Sequence, residues 1–114
     1  MAMKVMTVVS GMVPDAKAGS FERDYAELAR GPLTPGLVRS QLLKKPDDVN
    51  FVYRIETLWE SREMLDRMRA GPKPPLAIQL FLGAGTAPSV ELFELAGEVG
   101  SGPDAAAPTR GCVP

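Results

Sequence analysis

Trp59 and Tyr53 are the side chains of this sequence best suited to holding an aromatic molecule. They stand six positions apart, and an even spacing in an extended strand puts both on one face. They would form an aromatic wall with an O–H and an N–H turned toward a ligand, or else fill a core or an interface. Arg54 and Glu56 fall on the opposite face, where they bind an anionic substrate oxygen if buried and pair at the surface if not. Arg39 and Gln41 alternate with Val38 and Leu42 and so face one way. They are the better-placed polar groups for stabilising an anion, and an edge strand facing solvent accounts for them equally. Met68 and the five other methionines supply adaptable lining for a hydrophobic cavity or fill gaps in the core.

Composition removes most other chemistry. The chain has 114 residues, 45% hydrophobic and 24% charged, enough for one compact core. It contains no histidine, which excludes Ser-His-Asp and Cys-His catalysis, His-ligated haem iron and His-bearing zinc sites. The single cysteine, Cys112, can form neither an internal disulfide nor a thiolate cluster. Asp47-Asp48 follows a proline and reads as turn chemistry, not a metal site. Gly83-Ala84-Gly85 lacks the strand-loop-helix setting of a phosphate site. No metal and no cofactor are therefore expected. With 13 basic and 14 acidic side chains and no basic stripe, nucleic acid is not an expected partner. No run approaches a membrane span, and the Val-rich segment after Met-Ala-Met-Lys reads as a strand, not a signal peptide. The expected location is cytoplasmic.

The elements that must position these residues are marked by clear punctuation. Met3–Val13 reads as a strand ending at Pro14-Asp15. Phe21, Tyr25, Leu28 and Ala29 fall on one face of a helix capped by Ser20 or Asp15 and stopped by Gly31-Pro32. Leu37–Leu43 and Phe51–Trp59 are β-prone runs joined through Pro46-Asp47-Asp48, which predicts an antiparallel hairpin. Ser61 is a helix N-cap, with Glu63 in the first turn and Met64, Leu65 and Met68 on the apolar face. Leu76–Leu82 suits helix and strand equally, and Ser89–Leu95 reads as a last strand. Residues 97–114 hold 7 Gly or Pro in 18 positions and read as a flexible tail to a domain spanning 1–96.

The order β-α-β-β-α-(α)-β predicts an α+β, ferredoxin-like antiparallel sheet with its helices on one face. The strands are apolar on both faces: Val5 and Val9 oppose Met6, Val8 and Met12, and Phe51, Tyr53, Ile55 and Trp59 oppose Val52 and Leu58. Helices cover one side only, so a second copy of the chain is expected to cover the other.

Trp59-Glu60-Ser61-Arg62-Glu63 at a strand-to-helix junction resembles the Trp-x-Ser-x-Glu signature of the antibiotic biosynthesis monooxygenase family. Pro35-Gly36-Leu37 and Ser89-Val90-Glu91-Leu92-Phe93 sit where that family has its second and last strands, so the resemblance spans about Val5 to Leu95. It implies a homodimeric α/β barrel that oxygenates polyketide anthrones or quinols without metal or flavin, or that degrades haem. Three positions depart from the family pattern. Met68 stands where the family often has histidine, Ile55 where its polyketide monooxygenases have asparagine, and Glu56 lies three residues before Trp59 instead of two. The missing histidine closes the haem branch.

The expectation is thus a cofactor-independent monooxygenase acting with dioxygen on a phenolic, quinol or polyketide-type aromatic in an apolar cavity. Trp59 and Tyr53 are its expected catalytic residues. Arg39, Gln41, Arg54, Glu56 and Met68 are expected to bind substrate. Two other readings share the fold: a non-catalytic barrel that binds a small aromatic ligand, and a polyketide cyclase or isomerase.

Overall fold

The computed structural model describes residues 3–46 and 50–100. Along the chain run β1 (Val5–Pro14), α1 (Asp15–Leu28), β2 (Leu37–Pro46), β3 (Asn50–Trp59), α2 (Arg62–Arg69), α3 (Leu76–Gly83) and β4 (Ser89–Glu94). The strands pair antiparallel in the order β2-β3-β1-β4. This is the expected α+β, ferredoxin-like architecture. The tip carrying Asp47-Asp48 lies outside the described residues, as does 101–114 of the expected tail; residues 97–100 form neither helix nor strand.

Local chemistry explains the boundaries. Ser61 caps α2 as its sequence signals, its Oγ accepting from the Met64 N–H at 3.2 Å, an interaction worth ~1 kcal/mol. The segment from Leu76 is a helix because Pro75 has the backbone of an N-cap, its carbonyl accepting from the Gln79 N–H at 3.0 Å. Gln79 Nε2 also donates to the Pro74 carbonyl at 2.6 Å. The start of α1 differs from expectation. Asp15 is its first residue, with no side-chain cap, and Ser20 lies within the helix, donating to the Lys17 carbonyl at 3.1 Å. Pro14 supplies the entry with φ −57°, so the strand turns directly into the helix and Asp15 complements its dipole.

All three helices pack on the sheet face that carries Val5, Val9, Val13, Tyr53, Ile55 and Trp59. One core cluster joins Ala18 and Phe21 of α1 and Phe81 of α3 to Val9, Val13, Tyr53 and Ile55. A second joins Leu65 of α2 to Val5 and Trp59. Gly11 in β1 admits the close packing of α3, since a Cβ there would lie 3.2 Å from the Phe81 ring and 3.0 Å from Thr86 Cγ2. None of the described helices lies against the opposite sheet face. Val8 and Leu58 are buried there, whereas Met12, Leu43 and Phe93 remain exposed.

Candidate active site

The two core clusters leave space between them. A cavity of about 400 Å³ lies there between sheet and helices, walled chiefly by apolar side chains including Leu28, Leu37, Ile55, Leu65, Met68 and Ile78. Leu33, Val38 and Leu76 also line it and stay exposed, so the cavity opens between the α1–β2 loop and the start of α3.

Its floor is polar by virtue of strand register. Ser40 of β2 pairs with Thr57 of β3, and Thr57 pairs with Thr7 of β1, so three hydroxyl residues cross the sheet in one row. All three line the cavity. A β-bulge precedes the row and brings Leu37 onto its face. Leu37 opposes Trp59 and Arg39 opposes Leu58, leaving Val38 as the extra residue that turns both Leu37 and Ser40 to the helix side. Tyr25 of α1 reaches down and donates from its O–H to Ser40 Oγ at 2.8 Å. Ser40 Oγ and Thr57 Oγ1 share a hydrogen bond at 3.2 Å.

Trp59 and Met68 line this cavity as expected. The indole N–H is not turned toward a ligand, however: it donates to Thr7 Oγ1 at 3.1 Å in a buried contact. Tyr53 is corrected more fully. It shares the strand face of Trp59 but stands outside the cavity, wholly buried against Phe21 and edge-on to Phe51. Its O–H donates to Glu22, whose carboxylate is also 3.2 Å from Lys44 Nζ. Burial, with the Glu22 carboxylate beside it, pushes the Tyr53 phenol well above its ordinary range, so it stays protonated and makes a poor base.

Gln41, Arg54 and Glu56 lie on the open sheet face, opposite the cavity. Gln41 Nε2 donates to Glu56 Oε1 at 2.8 Å, and Arg54 approaches the other oxygen at 3.5 Å. Arg39 borders the cavity, yet its register opposite Leu58 places it on that same open face. Val38 is the bulge and not part of the regular alternation with Leu42. Tyr25, Thr7, Ser40 and Thr57 were not singled out by sequence. The one local signal was that Thr7 and Thr57 interrupt otherwise apolar alternation, Val5-x-Thr7-x-Val9 and Ile55-x-Thr57-x-Trp59.

Haem does not fit this wall. None of its lining residues is His, Cys, Asp or Glu, Met68 offers only a thioether, and the Tyr25 O–H is engaged by Ser40. Among the described residues no three His, Cys, Asp or Glu side chains come together as a metal site requires. Nor is any described helix long and apolar enough to cross a membrane.

An open antiparallel sheet with one helical layer and a cavity between the two defines a ferredoxin-like α+β protein. No family profile and no curated protein matches the sequence. Solved structures do. The heme-free heme-degrading protein Rv3592 of Mycobacterium tuberculosis shares 27% identity at TM-score 0.65, covering 89% of this chain and 100% of that one. Another structure of that protein, MhuD, has two hemes bound in its active site. A variant of SnoaB, a cofactor-independent oxygenase of Streptomyces nogalater, shares 21% at TM-score 0.60 over 86% of this chain and 98% of its own. A candidate antibiotic biosynthesis monooxygenase of Bacillus cereus shares 10% at TM-score 0.60, over 87% and 99%. This chain has the antibiotic biosynthesis monooxygenase fold, as the Trp59–Glu63 resemblance implied.

Proposed function

We propose that the chain is a cofactor-independent monooxygenase whose substrate, a phenolic, quinol or polyketide-type aromatic, occupies the cavity between sheet and helices. The observation that carries this reading is the cavity itself: about 400 Å³ of mainly apolar wall over a hydroxyl floor, with no imidazole, thiol or carboxylate in its lining. Such a site suits an electron-rich aromatic that supplies its own electrons. For an anthrone, the CH2 becomes C=O and the second oxygen atom leaves as water, so substrate provides all four electrons that dioxygen takes up. The protein need only exclude water, orient the ring and help remove a proton.

The active form in this reading is a homodimer joined through the open sheet face, where Met12, Leu43 and Phe93 are exposed. The apolar Ile55 and Met68 within the cavity favour one other reading, a barrel that binds an aromatic ligand without turning it over.

An oxygen electrode with 1,8-dihydroxyanthrone tests the proposal. The expected result is catalysed uptake of one dioxygen per quinone formed, insensitive to chelators, with one label from 18O2 in the product. Saturable quenching of Trp59 fluorescence without oxygen uptake would establish the binding reading instead. Sedimentation at micromolar concentration should give twice the chain mass, and a stable monomer would overturn the dimer.

A further inference from the structure

The cavity wall carries no base, yet an aromatic hydroxyl must lose a proton before it can reduce dioxygen efficiently. The titratable side chains lining the cavity are Tyr25, Arg39 and Arg69, and none is a carboxylate, imidazole or thiol. What the floor offers is a line of neutral hydroxyls running from buried to exposed. Thr57 is 6% exposed and Thr7 8%, whereas Ser40, on edge strand β2, is open to solvent.

We propose that Thr57 and Ser40 form a proton exit from the cavity floor to water, with Tyr25 holding Ser40 in line. The inference rests on the monooxygenase reading and adds residues to it. In a concerted shift, the proton of the substrate hydroxyl (for an anthrone, the hydroxyl of its enol tautomer) passes to Thr57 Oγ1 as Thr57 gives its own proton to Ser40 Oγ, and Ser40 releases its proton to solvent. Substrate is left as the oxyanion, and neither hydroxyl carries net charge before or after. The Ser40–Thr57 hydrogen bond at 3.2 Å is the inner link, and either oxygen can donate in it. The Tyr25 O–H, already directed at Ser40 Oγ at 2.8 Å, stabilises negative charge that develops on Ser40 during transfer. The two hydroxyls conduct because they are amphoteric, each able to accept and donate at once. Thr57 is the residue in contact with substrate; Ser40 and Tyr25 act through it. Thr7 lines the same floor, but its oxygen already accepts the indole N–H of Trp59.

Thr57→Val keeps shape and strand preference while removing the hydroxyl, and Thr57→Ser restores it. With 1,8-dihydroxyanthrone, Thr57→Val should lower kcat about tenfold or more. Affinity for 1,8-dihydroxyanthraquinone, read by Trp59 quenching, should change less than about threefold, because valine keeps the β-branched shape of threonine and leaves the apolar wall in place. Thr57→Ser should recover most of the rate. The wild-type rate should be nearly flat between neutral and mildly alkaline pH, whereas the Thr57→Val rate should climb with hydroxide, since its substrate must ionise without the relay. Tyr25→Phe should show a smaller fall in the same direction. Wild-type protein without turnover overturns the monooxygenase reading and the exit with it. Turnover that Thr57→Val leaves unchanged in rate and pH profile overturns the exit alone.

Discussion

Trp59 and Thr7, 52 positions apart in sequence, are joined on the cavity floor by a hydrogen bond from the indole Nε1 to Oγ1 at 3.1 Å. The contact fixes the ring and occupies the one polar group that Trp59 has to offer a ligand.

Trp59→Phe should therefore act on stability more than on catalysis. It removes one buried hydrogen bond and part of a ring from the cluster with Val5 and Leu65, for a cost of about 1–2 kcal/mol in urea unfolding. Oxygen uptake per folded molecule is expected to stay within about threefold. A fall of tenfold or more at unchanged ligand affinity would mean that the indole reaches the substrate during turnover.

Gly36 controls where α2 sits. Its φ is +87°, and a Cβ there would lie 2.5 Å from Met64 Cβ, an atom that cannot yield without moving the helix backbone. Gly36→Ala should cost more than about 2 kcal/mol, combining left-handed backbone strain with the clash. It should also weaken ligand affinity, because Leu65 and Met68 move with the helix. Gly19→Ala is the control: nothing lies within 4 Å of a Cβ in mid-helix α1, and a gain of up to ~1 kcal/mol is expected. Paired thermal melts of the two variants check both signs.

The Glu22 carboxylate is held below its ordinary 4.5, first by the Tyr53 O–H and then by Lys44, against a smaller opposing effect of burial. A carboxyl whose folded pKa is depressed stabilises the protein above its unfolded value, and that contribution is lost as pH falls through the folded one. Wild-type stability should accordingly drop on acidification below about pH 4.5, and Glu22→Gln should flatten that limb of the curve. Denaturant midpoints between pH 3 and 7 provide the measurement. An unchanged acid slope in Glu22→Gln would assign the acid sensitivity to other carboxylates.

Haem titration should give no Soret band of an axially ligated iron saturating at one or two haems per chain. The cavity supplies neither imidazole nor thiolate, and its one phenol already hydrogen-bonds Ser40. A saturable Soret shift, abolished by Met68→Leu or Tyr25→Phe, would show that a thioether or phenolate takes the place of the usual ligand.

The features legible in the sequence were those with local causes. Ser61 announces α2 because a cap acts on a backbone N–H three residues away, and the hairpin is readable because turn and flanking strands are contiguous. Tyr53 and Trp59 were correctly placed on one strand face, but that pattern says nothing of what lies above each. At about 3.3 Å per residue the two stand roughly 20 Å apart. Phe21 and Phe81 crowd the Tyr53 end, while the Trp59 end borders the cavity. Ser40 and Thr57 meet only because two strands pair in one particular register, displaced by a bulge that no local residue signals. Sites assembled across strands in this way become visible only once the pairing is known.

The unpaired Val38 has an evolutionary side. It separates the part of β2 that continues the cavity entrance from the part that carries Ser40, and each side keeps its own phase of alternation. Substitutions at Leu33 or Leu37 can thus reshape which molecules enter without rotating Ser40 away from Thr57. Deleting Val38 would leave Leu37 and Ser40 two positions apart and still on one face, so the bulge is where the strand can change length by a residue without turning the floor outward. Selection for a new ligand therefore has room to work at the entrance, while the floor is inherited as a unit.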